Sequence, residues 1–427
     1  MDYKKLLIIS HNCLSKTGSN GRTLANYLDG WPKEKIAQIY IHPENPSSDV
    51  CNQYYCLSDR SIISSIIQRK PAGYIVYLNE NTDSEKDMTH DKGKKKAKNS
   101  ILFLARELAW KTKLWNSKNL KKWLKDFGPE VILVQAGDAA FLLDMSVEMA
   151  KIYDADLVVY NTEGYFFKKK SHLPENWLSQ YFYPTLNRRF RNTYNKMIIE
   201  AKREIYNCDL LKNDYEKVFH TESRVIMNTS EFTEEDVFNP KKSQIIYAGN
   251  LGLDRHKSLI QFANALHQVT PDMVVDVYGK TPNDSVKTEM EKCIGIRMHG
   301  FIPYEELKQK LRESKYLLHV ESFDSFYRED LKYAFSTKIA DSLAAGACLF
   351  VYAPDNMAVV QYLKGKKSAA LITDPSMLTR EIRRILTDEE SSRVYAKNGR
   401  LLAEQNHNIK KNREAFQAIL LEEGEIR

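Results

Sequence analysis

A hydroxyl, an ammonium and a carboxylate stand close together in the stretch FSTKIADSLAAG, residues 335–346. Ser336 and Thr337 precede Lys338, and Asp341 follows three residues later, so a helix here would place Lys338 and Asp341 on one face. Such a helix offers unpaired backbone N–H groups and the positive end of its dipole at its first residues. The pattern is typical of a phosphate site, but also of an ordinary capped helix with a surface Lys–Asp pair.

A second cation follows a glycine loop in QIIYAGNLGLDRHKSLIQFANAL. The apolar run that ends at Gly249 predicts a strand, Asn250 continues the loop, and we expect a helix from about Ser258. Arg255 lies in this loop, where a guanidinium can bind two phosphate oxygens at once. A basic loop without a ligand is the alternative interpretation.

Strand and helix patterns alternate through both halves of the chain, in runs such as KKLLIISH, IAQIYIH, GYIVYL, GPEVILVQ and ADLVVYN, and later YLLHVE and ACLFVYA. This alternation predicts an α/β fold with parallel sheets in two Rossmann-like domains that face each other across a cleft. We expect domains at residues 1–228 and 229–408, followed by a carboxy-terminal helix at 409–427 that packs back on the first domain. Ligands of such sheets bind beyond the carboxyl ends of the strands, so the cleft is the expected site.

Composition excludes several classes of protein. The chain has 427 residues, of which 43% are hydrophobic and 28% charged, enough for two cores with an ordinary polar surface. No signal peptide and no apolar run of membrane-spanning length is visible. The six cysteines form no C-x-x-C and have no metal-site spacing, which favours a cytoplasmic chain with free thiols and no bound metal.

The net charge of +7 is concentrated in two segments. Residues 81–125 carry thirteen Lys and Arg against five Asp and Glu, and residues 168–203 carry nine against two. Localised positive charge indicates an anionic partner at one face. Because Trp110, Trp115 and Trp123 lie among six lysines, the first segment suits a helix at an anionic membrane surface. The alternative is that the tryptophans are core residues, and we find no nucleic-acid-binding module.

The second half resembles the nucleotide-binding half of GT-B glycosyltransferases, and most closely the retaining family-4 enzymes. YAGNLGLDRHKSL, VYG, HGFIPYEELKQKLRESKYLLH and YAFSTKIADSLAAGACLFV match that family's motifs in order and spacing over residues 225–360. The resemblance implies that Arg255 and Lys338 bind a donor diphosphate and that Asp341 binds the ribose. It also implies donor contacts from Gly249, Asn250, Ser336 and Thr337.

Two positions depart from the family pattern. Asn250 stands where the family has an arginine, and Tyr333 stands where it has the carboxylate that faces the transferred sugar. The motif match therefore predicts that a nucleotide binds, but it does not predict which sugar the donor carries.

The first half carries weaker similarities to the same family. The loop after the first strand contains Gly18, Gly21 and Arg22, which match a loop that in the family reaches the donor phosphates and the acceptor; an ordinary flexible turn is the alternative. Glu163 in ADLVVYNTEGYFFK takes the place of a histidine beside the donor sugar, and either binds sugar hydroxyls, acts as a base or caps the following segment. Asp138, in VQAGDAAF, is a further acceptor-side candidate.

These observations predict a metal-independent hexosyltransferase, with Arg255, Lys338 and Glu163 as its catalytic residues. No cofactor is expected; the donor would be a UDP-sugar or a GDP-sugar. The acceptor would be a glycan or lipid-linked oligosaccharide in bacterial surface polysaccharide assembly, with retention implied by the resemblance. The enzyme would be cytoplasmic, with possible peripheral contact at the inner face of the plasma membrane. The alternatives are a catalytically silent GT-B scaffold that binds a partner transferase, and a GT-B sugar-nucleotide epimerase.

Overall fold

A computed structural model describes residues 2–16, 19–78, 100–169, 177–232 and 242–422. The chain divides into two compact units. Unit 1 contains the described residues up to Tyr206, Lys212–Val225 and those from Arg413 onward. Unit 2 contains Asn207–Leu211 and Ile226–Asn412.

The first half of the chain alternates strands and helices around one sheet. Its strands are β1 (Leu6–Ser10), β2 (Ile36–Tyr40), β3 (Gln53–Cys56), β4 (Tyr74–Val76), β5 (Val131–Gln135), β6 (Asp156–Asn161), β7 (Arg203–Tyr206) and β8 (Arg224–Val225). Its helices are α1 (Ser19–Leu28), α2 (Asp59–Gln68), α3 (Ser100–Lys111), α4 (Lys118–Phe127), α5 (Ala140–Tyr153), α6 (Trp177–Glu200) and α7 (Asp209–Phe219). The strand order is β4-β3-β2-β1-β5-β6-β7-β8, parallel except for the antiparallel edge strand β4.

The local sequence explains these elements. β1 and β5 are buried on both faces, as expected for central strands of a parallel sheet covered by helices. The hydroxyl of Ser58 accepts from the backbone N–H of Ser61 at 3.2 Å and starts α2. Ser117 caps α4 in the same way, and Gly128 ends it with a φ of +65°, which glycine adopts without steric cost.

Unit 2 is built on a second, fully parallel sheet. Its strands are β9 (Lys242–Ala248), β10 (Val275–Tyr278), β11 (Ile296–Gly300), β12 (Ser314–Val320), β13 (Cys348–Tyr352) and β14 (Ala370–Ile372), in the order β11-β10-β9-β12-β13-β14. The helices that follow α7 are α8 (Arg255–Val269), α9 (Asp284–Glu291), α10 (Tyr304–Glu313), α11 (Ser325–Leu331), α12 (Thr337–Ala344), α13 (Ala358–Leu363), α14 (Leu378–Thr387), α15 (Glu389–Asn406) and α16 (Ile409–Leu421). Side chains of β9, β10, β12 and β13 form the core with α8 and α14.

The last helix, α16, contributes its residues from Arg413 to unit 1. Phe416 stacks on Tyr27 of α1 with ring centroids 4.7 Å apart, and the Gln417 amide donates to the carbonyl of Tyr27 at 3.0 Å. An aromatic contact and buried hydrogen bonds therefore hold the end of the chain against α1.

Three expectations from the sequence need correction. The basic, aromatic stretch at residues 174–207 predicts one long helical region, but α6 ends at Glu200, because Arg203–Tyr206 form the buried strand β7. The sequence analysis predicted no strand at Gln53–Cys56, where the structure has β3. Trp110 and Trp115 are buried, so they are core residues and not interfacial anchors. Among the helices in the described ranges, none combines the length and apolar character needed to cross a membrane.

Candidate functional site

Two cationic helix starts lie at the carboxyl edge of the unit 2 sheet. β12 is the central neighbour there, since it pairs with β9 on one side and with β13 on the other. Helix α8 follows β9, and α12 lies in the connection from β12 to β13. The strands are parallel, so α8, which directly follows β9, and α12, which comes after α11 and leads directly into β13, both run from the carboxyl edge of the sheet toward its amino edge. The topology therefore brings the starts of α8 and α12, which carry Arg255 and Lys338, to the same edge.

Arg255 is the first residue of α8, which begins slightly earlier than the sequence predicted. Its Nε atom donates a hydrogen bond to Oε2 of Glu321 at 2.7 Å. Glu321 directly follows β12, and its side chain is only 1% exposed. His319 lies on the other side, with Nε2 at 3.2 Å from Oε1 of Glu321. The guanidinium is therefore held in one orientation by a buried carboxylate.

Glu321 stays ionised in this setting. Burial alone would raise the pKa of Glu321, but contact with the His319 imidazole and the charge of Arg255 together lower it below its usual value. Sequence reasoning missed this residue. The available signal was a carboxylate placed immediately after a buried strand, at the edge where ligands of parallel sheets bind.

The start of α12 has the predicted cap. The hydroxyl of Ser336 accepts from the backbone N–H of Lys338 at 3.3 Å. Thr337 and Lys338 are half-buried, while Ile339 and Leu343 are in the core. The cap fixes the first turn of the helix, so the remaining N–H groups and the positive dipole end have a defined direction.

Asp341 is held by two hydroxyl groups from other elements of unit 2. Its Oδ1 accepts from the hydroxyl of Ser230 at 2.7 Å, and its Oδ2 accepts from the hydroxyl of Tyr304 at 3.1 Å. The residue is 8% exposed. Both carboxylate oxygens therefore have protein partners, and the ribose contact expected from the sequence stays a prediction. Tyr333, one helix turn before α12, is buried, and its hydroxyl accepts from Lys332 Nζ at 3.0 Å.

The glycine loop after β9 is tightly packed. The amide oxygen of Asn250 accepts from the backbone N–H of Gly252 at 2.8 Å, and its carbonyl accepts from the Tyr247 hydroxyl at 2.9 Å. A Cβ atom at Gly279 would lie 2.1 Å from the carbonyl oxygen of Gly249. Gly279 therefore needs to be glycine so that the ends of β9 and β10 can approach each other.

Unit 1 contains a cavity of about 750 Å³ at the carboxyl edge of its sheet. Residues that follow β1, β2, β5 and β6 form its polar side, and helices α2 and α3 supply its apolar side. Asp138, predicted from the sequence, lines this cavity. His11, directly after β1, lines it as well and was missed, although a histidine at the end of a buried strand is a recognisable signal.

His11 and Asp138 face each other in the cavity. The Nε2 atom of His11 lies 3.9 Å from Oδ1 of Asp138, which is too long for a direct hydrogen bond. Within the described residues this Nε2 atom is buried and has no hydrogen-bond partner. Burial lowers the pKa of His11 to about 4 despite the opposing charge of Asp138, so the imidazole is neutral near pH 7. A Cβ atom at Gly137 would lie 2.3 Å from the imidazole, so only glycine leaves room for the ring.

A charged pair borders the same cavity. Oδ1 of Asp59 accepts from Arg106 Nε and from the indole N–H of Trp110, both at 2.8 Å. These contacts join the start of α2 to α3. They position Ile63 of α2 and Phe103 of α3 along the apolar side.

The other described residues that the sequence predicted for unit 1 lie in the first helix and in the loop after β6. Glu163 is exposed just after β6, and its charge acts on the hydroxyl of Tyr165, a residue that lines the cavity. Gly21 lies in α1, where a Cβ atom would be 2.2 Å from the carbonyl oxygen of Cys13, so this glycine permits close packing of helix and loop. Arg22 is half-buried in the same helix, and Gly18 lies outside the described residues. Within the described residues, no cluster of three or more His, Cys, Asp or Glu side chains has a metal-binding arrangement.

Comparison with known proteins gives a family match that lies mostly in unit 2. Residues 255–418 match a family model described as glycosyl transferase-like. The match includes both Arg255 and Lys338. No curated protein has a sequence similar enough to match.

Solved structures of similar architecture cover almost the whole chain. The HepE protein of Anabaena, solved with UDP and glucose, is 12% identical over 98% of this chain and 99% of its own, with a TM-score of 0.62. The sucrose-phosphate synthase of Thermosynechococcus elongatus is 12% identical over 97% of this chain and 98% of its own, with a TM-score of 0.62. WaaG, a glycosyltransferase involved in lipopolysaccharide biosynthesis, is 10% identical over 98% of this chain and 100% of its own, with a TM-score of 0.56. These likenesses confirm the predicted α/β fold with two parallel-sheet domains, which is that of GT-B glycosyltransferases.

Proposed function

We propose that the chain transfers a sugar from a nucleotide-diphosphate donor to a hydroxyl group of a glycan or lipid-linked acceptor. The observation that carries the proposal is the position of Arg255 and Lys338 at two helix starts on one edge of a parallel sheet, in a segment similar to glycosyltransferases. Two cations and two helix N-termini suit the two phosphates of such a donor.

The proposed chemistry depends on charge stabilisation. The bond between C1 of the sugar and the diphosphate breaks, and its electron pair leaves with the diphosphate. The acceptor oxygen bonds to C1, and its proton passes to an oxygen of the leaving phosphate. Arg255, Lys338 and the N–H groups of α12 stabilise the charge that develops there, so no metal is required. We propose retention of configuration, which the resemblance to retaining enzymes implies.

A UDP-sugar is the proposed donor. The support is that the HepE protein, which has the same fold, was solved with UDP and glucose. A GDP-sugar is the alternative that the sequence left open. Asp341 is the proposed ribose contact, and a ribose hydroxyl would then take the place of the Ser230 or Tyr304 hydroxyl on its carboxylate.

The acceptor is proposed to bind in the unit 1 cavity beside Asp138, with Glu163 close by. Surface polysaccharide assembly is supported by the likeness to WaaG, which acts in lipopolysaccharide biosynthesis. We propose that the enzyme is cytoplasmic and makes a peripheral contact with the inner face of the plasma membrane. The support for membrane contact is the set of exposed lysines at positions 111, 113, 118, 121, 122 and 125.

Release of UDP from UDP-glucose, UDP-galactose and UDP-N-acetylglucosamine tests the proposal. We expect turnover with at least one donor, and a fall of about 100-fold or more in kcat for Lys338→Ala, since one lost donor to a developing anion has that effect. Lys364→Ala is the matched control, because Lys364 is exposed and pairs with Asp355. Absence of turnover with every donor would favour the silent scaffold, in which buried Tyr333 replaces the family's carboxylate.

A further inference from the structure

We propose that the unit 1 cavity takes an amphipathic glycoside as the acceptor. His11 and Asp138 hold a sugar hydroxyl at its polar end, and Ile63, Leu102 and Phe103 contact an apolar chain attached to the sugar. This inference rests on the proposed glycosyl transfer. The inference adds the class of the acceptor to that proposal: the acceptor is lipid-linked and is not a free glycan.

The spacing at the polar end fits one hydroxyl group. A hydroxyl oxygen between His11 Nε2 and Asp138 Oδ1, which are 3.9 Å apart, can lie about 2.8 Å from both. A sugar hydroxyl accepts one hydrogen bond and donates another, so it can accept from the imidazole N–H and donate to the carboxylate. It would supply the partner that the buried Nε2 atom lacks among the described residues.

The charges around His11 favour a neutral ligand. Among the described residues, the charged or titratable groups that act on the imidazole are Asp138, Arg106, His42 and Asp59. Arg106 is already paired with Asp59 at 2.8 Å, which leaves Asp138 as the carboxylate that faces the cavity. A phosphate or carboxylate at this position would be repelled, whereas a sugar hydroxyl would not.

The apolar side of the cavity extends to its mouth. Ile63 of α2 and Leu102 of α3 both line the cavity while 50% and 48% exposed. Ile67, one turn further along α2, is 74% exposed and continues the apolar surface beyond Ile63. A free sugar would leave these side chains in water, but an alkyl chain that leaves the polar end would bury them.

Calorimetric titration with two probes tests the inference: methyl β-glucoside, and octyl β-glucoside below its micelle concentration. We expect the octyl probe to bind at least about ten-fold tighter, because its chain buries apolar surface. Ile63→Asn should remove most of that gain, whereas Ile152→Asn, an exposed isoleucine of α5 outside this cavity, should keep it. His11→Gln and Asp138→Asn should weaken both probes alike, with unchanged thermal unfolding as the check on folding.

Equal affinity for the two probes, no binding of either, or wild-type affinity in His11→Gln would each overturn the inference. UDP titration in the same samples separates it from the proposed function. Probe binding as described without UDP binding would contradict glycosyl transfer from a UDP-sugar and leave the cavity assignment standing. Turnover of a UDP-sugar without binding of either probe would overturn only the proposal that the acceptor is lipid-linked, and it would leave the proposed glycosyl transfer standing.

Discussion

Nε of Arg255 lies 2.7 Å from Oε2 of Glu321, and this hydrogen bond joins the first residue of α8 to the end of β12. The carboxylate is buried, so it needs the cation beside it. The residue proposed to bind the donor diphosphate is therefore also part of the internal electrostatics of unit 2. A substitution at Arg255 changes binding and stability together.

Arg255→Ala should lower the free energy of unfolding by about 3–5 kcal/mol, since it leaves the buried Glu321 without its guanidinium partner. Arg255→Gln combined with Glu321→Gln should cost less, because it removes both charges. Denaturant unfolding followed by circular dichroism measures these differences. Lys257→Ala, which removes an exposed partner of Asp254, should change stability by less than about 0.5 kcal/mol. Equal unfolding midpoints for Arg255→Ala and wild type would show that Glu321 does not depend on Arg255.

Acidification should destabilise the protein through His407. This histidine is buried, its Nδ1–H donates to the Asn228 carbonyl at 2.6 Å, and Nε2 lies 3.0 Å from the Tyr362 hydroxyl. Burial lowers the pKa of His407 from 6.5 to about 4. The stability that its neutral form supports is fully present above pH 6.5, and it is lost as pH falls toward 4, because the unfolded chain takes up the proton first.

This loss should amount to about 1.4 kcal/mol per pH unit in that window for each such histidine. Denaturant titrations between pH 7 and pH 4 measure the slope, and His407→Gln should reduce it by that amount while lowering stability at pH 7. An unchanged slope in His407→Gln would indicate that the histidine is already protonated in the native state. His11, with its pKa also lowered to about 4, contributes a similar term and serves as the second site to test.

Periodicity predicted most of the fold because strands such as β1, β5 and β13 are continuous apolar runs between clear helices. It failed where a strand has a mixed composition. β3 is QYYC and β7 is REIY, and β7 buries Arg203, whose guanidinium donates to Asp156 at 2.7 Å and to the carbonyl of Glu422. Such a pairing partner on another strand cannot be read from local sequence.

Residues of the candidate site that belong to one local sequence motif could be predicted. Residues that come together only through the pairing of distant strands could not. Ser336 and Lys338 belong to one helix start, so spacing alone located them. Glu321 becomes a partner of Arg255 only when β12 pairs beside β9, and His11 meets Asp138 only when β1 pairs beside β5. Those long-range strand pairings are the part that a single sequence leaves open.

Gly279→Ala should weaken both folding and UDP binding. The new Cβ would lie 2.1 Å from the Gly249 carbonyl oxygen, so the loops after β9 and β10 must move apart. Overpacking of this kind costs about 1–3 kcal/mol. Gly252→Ala is the control, because the closest atom to its Cβ would be the amide oxygen of the Asn250 side chain, at 3.2 Å. Thermal unfolding and UDP calorimetry on both variants decide whether this loop contact matters.

Exposed lysines of α4 should bind anionic vesicles at low salt. Lys121→Gln, Lys122→Gln and Lys125→Gln together should abolish co-sedimentation with phosphatidylglycerol vesicles, whereas phosphatidylcholine vesicles should not bind the wild type. The binding should also weaken near physiological salt, where the screening length is about 8 Å. Lys287→Gln with Lys292→Gln, both exposed in unit 2, is the matched control. Co-sedimentation that survives the α4 substitutions would exclude this helix as the membrane contact.

Calorimetric titration of UDP into the wild type and Lys338→Ala tests the central claim most directly, because Lys338 lies in the capped first turn of α12 and is proposed to bind the donor diphosphate. The account predicts saturable binding of UDP to the wild type and an affinity at least about ten-fold lower in Lys338→Ala, with Lys364→Ala equal to the wild type. No UDP binding by the wild type, or equal affinity in Lys338→Ala, would contradict it.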